Sequence, residues 1–271
     1  MTAPLLAALF VIVSWWFSTG AILLIDGLPP STFRYSVGAA SGLSLAGCVG
    51  LHLSSRHATP AAAYVAFACA LLVWAWHELT FLLGLVTGPR KQACPADAHG
   101  WRRFRLATAA VIHHELALAA TMLFVVALTW EAKNQVGTWT LLVLWIMRLS
   151  AKLNVFLGVR NLSIDFIPPH LRYLTTYFRR AALNPLMPVS LLGTTAACAW
   201  LWRASRIDPV SSFGQVSLTL VATILTLGLL EHVFLAVPLP DAWLWRWAMR
   251  NRERSAANGG VPVKKMGSAQ T

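Results

Sequence analysis

The chain has 271 residues, of which 57% are hydrophobic and only 12% are charged. Because soluble domains carry about 25% charged residues, this composition excludes an ordinary soluble protein and indicates a polytopic membrane protein. A net charge of +12 would suggest a nucleic-acid partner in a soluble protein. Here the basic residues fall in the loops of one membrane face, so we expect the lipid bilayer, and no nucleic acid, as a partner.

Seven segments are long and apolar enough to be read as membrane spans. A spanning segment must be helical and needs about 20 apolar residues. The predicted spans cover residues 4–25, 34–53, 60–86, 105–130, 137–158, 185–203 and 214–237. We therefore predict an all-α bundle of seven transmembrane helices in one domain, residues 1–240, with long loops at 87–104 and 159–184. Residues 241–271 are predicted to form an interfacial segment and a disordered tail.

The Lys and Arg residues in the loops and at the ends of the spans are unequally distributed between the two faces. Sixteen would lie on one face, and four would lie on the other: Arg56, Lys133, Arg203 and Arg206. Because loops on the cytoplasmic side are enriched in Lys and Arg, we expect the N-terminus outside and the C-terminus in the cytoplasm. Both long loops then lie on the cytoplasmic side.

The loop at 159–184 has helical periodicity of its own. Leu171, Leu174 and Phe178 recur at helical spacing after Pro169, a residue suited to a first helical turn. We expect a short helix on the inner membrane surface.

Five charged side chains lie inside the predicted spans, away from their terminal residues. A charge at the centre of a membrane helix costs about 2.5–3.5 kcal/mol on insertion scales, so five unpaired charges would cost on the order of 12–17 kcal/mol. Counted from the predicted helix ends at about 1.5 Å per residue, all five fall in one layer. They are expected to face one another in a site within the membrane. The residues are Glu78, Glu115, Arg148, Lys152 and Glu231.

Histidines accompany each of the three glutamates. His77 and Glu78 are neighbours about 100° apart on a helix and can share one interior face, as can Glu231 and His232. His113 and Glu115 are about 200° apart and cannot both point to one centre. We therefore expect His114 beside Glu115 and His113 at a neighbouring contact.

The fifth span presents two polar stripes. Arg148 and Lys152 are four residues apart and point in the same direction. Ser150, Asn154 and Gly158 form a second stripe that suits close helix packing and interhelical hydrogen bonds, and Asn161 follows it.

The buried polar set has several interpretations. It could be a structural ion-pair network, or a site for a metal, a pigment or protons. As a site, its ligands would be His77, Glu78, His113, His114, Glu115, Glu231 and His232, with Arg148 and Lys152 as charge partners. Carboxylates and imidazoles suit iron, zinc or manganese, and a histidine can also ligate the magnesium of a chlorin. The HExxH and ExxH metal motifs are absent, however.

Several segments between residues 70 and 240 together resemble the photosynthetic complex assembly protein 2 family, called PuhE. The match is most specific in the Arg-Leu-Ser-Ala-Lys-Leu-Asn stretch. The segments are Trp-His-Glu-Leu-Thr-Phe-Leu-Leu-Gly (76–84), Gly-Pro-Arg (88–90), His-His-Glu-Leu-Ala-Leu (113–118), Met-Arg-Leu-Ser-Ala-Lys-Leu-Asn-Val-Phe-Leu-Gly-Val-Arg-Asn (147–161) and Pro-His-Leu-Arg-Tyr-Leu (169–174).

This resemblance implies a multi-pass inner-membrane protein of purple phototrophic bacteria, encoded beside the reaction-centre H subunit. It implies a role in assembling or maintaining the reaction centre and its light-harvesting ring, with those subunits as partners. It carries over no catalytic residues. We expect an assembly factor that binds or delivers bacteriochlorophyll, with His77, His114 or His232 as the magnesium ligand.

Three other functions remain open at the level of sequence. The first alternative is a membrane-embedded metalloenzyme that acts on a tetrapyrrole or lipid through the same carboxylates and histidines. A proton path is the second. The third is a scaffold that docks partners on its basic face.

Overall fold

The computed structural model describes residues 2–162, 164–207, 211–237 and 244–249. Within these residues the fold is all-helical and contains no strand, which confirms the predicted class. The longest of the short 3₁₀-helices is Pro169–Tyr177. The α-helices are α1 (Ala3–Asp26), α2 (Phe33–Ser55), α3 (Pro60–Leu82), α4 (Gly100–Leu128), α5 (Val136–Leu157), α6 (Leu186–Ala204) and α7 (Ser212–Ala236).

Six of the described helices, α1 to α5 and α7, are long and apolar enough to cross a membrane. This supports a multi-pass membrane protein. Helix α6 has 19 residues, and Ser190, Thr194 and Thr195 lower its apolarity. The seventh crossing and the orientation of the termini stay predictions. Of residues 241–271, the predicted interfacial segment and disordered tail, the structure describes only 244–249, and the rest lies outside the described residues.

Helix α3 is central to the packing. It contacts α1, α2, α5 and α7. Small residues along it, including Ala63, Ala66 and Ala70, are buried, and small side chains let membrane helices approach closely. Phe67 of α3 packs with Leu220 and Ile224 of α7 in the largest apolar core.

Helices α1 and α4 pack against different parts of the bundle. Helix α1 contacts α3 and α7, whereas α4 contacts α2, α3, α5 and the 3₁₀-helix Pro169–Tyr177. Side chains of both helices line a space whose remaining walls come from α3, α5 and α7, from the loop that follows α5 and from Trp245. This arrangement positions the candidate site described below.

The segment between α3 and α4 is hydrogen-bonded to α4. The backbone N–H of His114 donates to the Thr87 carbonyl at 3.0 Å, and the Arg90 N–H donates to the Ala109 carbonyl at 3.2 Å. A Cβ atom at Gly88 would lie 2.2 Å from the Ala109 carbonyl oxygen. This close approach explains why glycine precedes Pro89 and Arg90 here.

The 3₁₀-helix Pro169–Tyr177 joins the two long loops. Tyr177 accepts a hydrogen bond from Arg90 Nε at 2.7 Å and donates one to the Gln92 carbonyl at 3.0 Å. Leu171 and Leu174 are buried in a cluster with Phe81. Leu171 and Leu174 of the predicted short helix therefore pack onto protein, and the location of that helix at the inner membrane surface stays a prediction. We call this end of the bundle the loop end.

Glycines permit the close contact between α2 and α3, and one of them provides a test. A Cβ atom at Gly50 would lie 2.4 Å from Cys69 Sγ, whereas Gly42, on the same helix, has nothing within 4 Å of the added atom. We expect Gly50→Val to destabilise the protein by about 1–3 kcal/mol, as overpacked cores do. Gly42→Val should have little effect on the melting temperature in detergent. Equal effects of the two substitutions would contradict this packing.

Candidate functional site

Four membrane helices bring five charged side chains together. Glu78 lies on α3, Glu115 on α4, Glu231 on α7, and both Arg148 and Lys152 on α5. Each carboxylate forms an ion pair with one of the two cations of α5. We call these five residues the charged cluster.

Arg148 lies between two carboxylates. Its Nη2 donates to Glu78 Oε2 at 3.0 Å, and its Nη1 lies 3.7 Å from Glu231 Oε1. The first contact is a hydrogen bond, and the second is too long to be one. The Glu78 side chain is 11% exposed and that of Glu231 is 41% exposed. Arg148 is therefore bonded to Glu78 and holds Glu231 only by longer-range attraction.

Lys152 forms the second part of the cluster. Its Nζ donates to Glu115 Oε1 at 2.5 Å, and the Trp145 indole N–H donates to Glu115 Oε2 at 3.3 Å. The ammonium also lies 5.2 Å from the centre of the Phe81 ring, within the range of a cation–π contact. Both oxygens of Glu115 are thus engaged.

The charges of the cluster do not balance. Its three carboxylates and two cations would leave one surplus negative charge if all five groups were ionised. Charges interact strongly in a low-dielectric medium, so this surplus favours a proton, a cation or a metal centre near the least-engaged carboxylate. That carboxylate is Glu231.

A cavity of about 650 Å³ lies against the charged cluster. All five cluster residues line it, and most of the remaining lining is aliphatic or aromatic. The aromatic residues come from several elements and include Trp15, Phe81, Phe104, Trp145 and Trp245. We call it the membrane cavity. An apolar chamber with a few convergent polar groups is the usual form of a small-molecule site.

The four histidines predicted for the site are not among the residues that line the membrane cavity. The ring of His114 is 0% exposed and lies 4.6 Å from the Phe81 ring, measured between centres. Within the described part of the chain neither of its nitrogens has a hydrogen-bond partner. His77 is also buried, and its Nε2 lies 2.9 Å from the Thr121 hydroxyl. The His77 and His114 rings are 6.4 Å apart.

The other two histidines predicted for the site, His232 and His113, differ in their burial. His232 is buried, with Nε2 2.9 Å from Ser150 Oγ and Nδ1 2.9 Å from the Gly228 carbonyl oxygen. Its Nε2 therefore links α7 to α5, and its Nδ1 is engaged with the backbone of α7 itself. His113 is exposed on α4, while its neighbour His114 is buried.

The residues predicted for helix packing have separate structural tasks. Asn154 is buried and donates to the Ser150 carbonyl and to Ser190 Oγ on α6, both at 3.0 Å. Gly158 ends α5 with a φ of 129°, a conformation suited to glycine. Asn161 donates from its side chain to the Phe234 carbonyl at 3.2 Å. These contacts fasten α5 and the loop after it to α6 and α7.

A metal centre of the iron or zinc type does not fit this arrangement. Among the described residues, no group of three or more His, Cys, Asp or Glu is close enough to hold a metal ion. The cluster carboxylates instead face cations, and His232 is used in helix packing. Within the described part of the chain, the metalloenzyme alternative therefore has no set of three such ligands.

The aromatic partners of the charged cluster were not predicted from the sequence. Trp145 lies three residues before Arg148 and seven before Lys152, and this spacing places all three on one face of α5. This spacing could have predicted from the sequence that Trp145 lies beside the cluster. Trp245 comes from the segment 244–249, where its indole N–H donates to the Trp16 carbonyl at 3.1 Å. No local pattern could have placed it against α1.

The Lys152–Glu115 pair should be energetically coupled. Lys152→Met or Glu115→Gln alone would leave an unpaired charge, and each should lower the melting temperature in detergent. The double variant should lose less than the sum of the two, with a coupling of about 0.5–3 kcal/mol in a double-mutant cycle. The exposed pair Arg102–Asp97 is the control, since exposed ion pairs often show no measurable coupling. Strict additivity at Lys152 and Glu115 would contradict the pairing.

Comparison with known proteins places the chain in a family. The family described as "Protein of unknown function (DUF3623)" matches residues 1–256. A Rhodobacter capsulatus protein named "Uncharacterized 30.4 kDa protein in puhA 5'region" is 37% identical over 268 residues, which is 97% of each chain. No solved structure matches. Since the family covers nearly the whole sequence, the chain belongs to the DUF3623 family.

Proposed function

We propose that this chain helps to assemble or maintain the photosynthetic reaction centre and its light-harvesting complex, and that it holds bacteriochlorophyll or a precursor in the membrane cavity. The observation that carries the proposal is the membrane cavity itself, an apolar chamber among membrane-spanning helices with a charged cluster on its wall. Such a chamber suits a ligand that is mostly apolar and has a few polar groups.

The relative supports the photosynthetic part of the proposal. Its name places it in the 5′ region of puhA in Rhodobacter capsulatus. The sequence resemblance to the PuhE family points the same way. The proposed location is the inner, intracytoplasmic membrane of a phototrophic bacterium, with reaction-centre or light-harvesting subunits as partners.

The lining assigns separate roles to its residues. Trp15, Phe81, Phe104 and Trp245 offer aromatic faces and edges to a flat macrocycle. Arg148 and Lys152 provide donors for ring carbonyl or carboxyl groups. Aliphatic residues such as Ile224 and Leu227 suit a hydrocarbon tail. The bound pigment would supply the light-absorbing group, and the protein would hold it away from water.

An absorption spectrum tests this proposal. The tagged protein is purified in mild detergent from pigmented membranes, and the visible and near-infrared bands are compared with the protein concentration. We expect a chlorin band in fixed ratio to protein. Thr108→Trp, which fills the cavity from α4, should reduce that ratio, because Thr108 lines the cavity. Ala120→Trp is the control, because Ala120 is exposed on the same helix.

The same variants should be tested for reaction-centre yield in cells that lack the native protein. Thr108→Trp should fail to restore the yield, and Ala120→Trp should restore it. A folded, colourless wild-type protein would contradict pigment binding. A normal reaction-centre yield in cells without the protein would contradict the assembly role.

A further inference from the structure

We infer that Glu231 is the residue that ligates the magnesium of a tetrapyrrole in the membrane cavity, through a carboxylate oxygen whose charge Arg148 offsets. This inference rests on the proposed function, and it names the ligand class as a magnesium tetrapyrrole bound by an axial carboxylate. It also replaces the histidine ligand expected from the sequence.

Glu231 is the carboxylate of the cluster with the fewest contacts to other residues. Both oxygens of Glu115 are engaged, by Lys152 and by Trp145. In Glu78, Oε2 accepts from Arg148, and Oε1 has no hydrogen-bond partner within the described residues but is fully buried. Within the described residues, Glu231 has no hydrogen bond, and its only ion pair is the 3.7 Å contact with Arg148. Its oxygens are therefore free to bind a ligand.

Glu231 is also accessible from the membrane cavity. The Glu231 side chain is 41% exposed, more than that of any other cluster residue. It lines the membrane cavity, as do Leu227 and Phe234, which lie about one helical turn before and after it. A macrocycle over Glu231 would thus meet apolar side chains on both sides of the carboxylate.

A carboxylate oxygen is chemically suited to bind magnesium. Magnesium prefers oxygen ligands, and carboxylates are among the groups that suit it. A bare carboxylate in a membrane would be costly, but Arg148 lies between Glu231 and Glu78 and attracts both. The surplus negative charge of the cluster then falls on the one carboxylate that can bind a Lewis acid.

The histidines are less suited to this task. His232 follows Glu231 directly, but it is buried and bonded through both nitrogens to α5 and to its own helix. His77 and His114 lie outside the residues that line the membrane cavity. Ligation by any of the three would require its side chain to leave its present position.

Paired pigments provide the test. The purified protein in detergent is titrated with bacteriochlorophyll and with bacteriopheophytin, which has the same macrocycle without magnesium. Binding is followed by quenching of tryptophan fluorescence, since Trp15, Trp74, Trp145 and Trp245 line the cavity. Removing a group that only supports a metal ligand lowers metal affinity by about 10–100-fold. Removing the magnesium removes the bond to the ligand itself. The wild type should therefore bind bacteriochlorophyll at least about tenfold more tightly than bacteriopheophytin.

Variants at two adjacent positions locate the ligand. Glu231→Leu should remove the preference for the magnesium form, because leucine supplies no ligand atom. The variant should stay folded, because the remaining Glu78, Glu115, Arg148 and Lys152 form two balanced pairs. Glu231→His should restore the preference by supplying another ligand. His232→Gln is the comparison and should keep it.

Three results would overturn the inference. Equal binding of both pigments by the wild type would reject ligation by Glu231 while leaving pigment binding in place. Loss of the preference in His232→Gln, with retention in Glu231→Leu, would assign the magnesium to the histidine. Failure of the folded wild type to bind either pigment would reject the proposed function as well.

Discussion

The pairing of charges across four membrane helices is the constraint on which the rest of this structure depends. Arg148 and Lys152 both lie on α5, and their partners come from α3, α4 and α7. An unpaired charge at membrane depth is costly, so these helices must present their charged faces to a common centre. The pairs Arg148–Glu78 and Lys152–Glu115 thereby determine which faces of α3 and α4 point towards α5.

The same constraint leaves space beside the cluster. Because Ala7 and Val11, in the first half of α1, pack against α3 and α7 in the largest apolar core, the bundle is closely packed there. The membrane cavity lies where side chains of α1 and α4 face the charged wall. At the loop end, Leu171, Leu174 and Trp245 contribute to its lining. The cavity is therefore bounded by helices along its length and by loop residues at one end.

The loop end explains several motifs that have no direct contact with the cluster. Gly88 permits the approach to Ala109, Arg90 bonds to Tyr177, and Asn184 donates to the Gly158 carbonyl at 2.7 Å. Gly88, Arg90 and Gly158, which lie in the segments that resemble a family pattern, thus help to hold two long loops against α4 and α5. Their effect on the cavity is indirect, through the position of the 3₁₀-helix that ends at Tyr177.

The sequence by itself determined the membrane class, the helices and the five charges that come together between the helices, because apolar length and charge within a span are local properties. Residues such as Glu78, Arg148 and Lys152 were identifiable as members of one layer from helix rise alone. Only the tertiary structure decided which charges pair, that Glu231 is the least engaged carboxylate, and that the histidines lie apart from the cavity. These features depend on helix rotation and on contacts between distant segments, as for Trp245 and Trp16, and no local pattern encodes them.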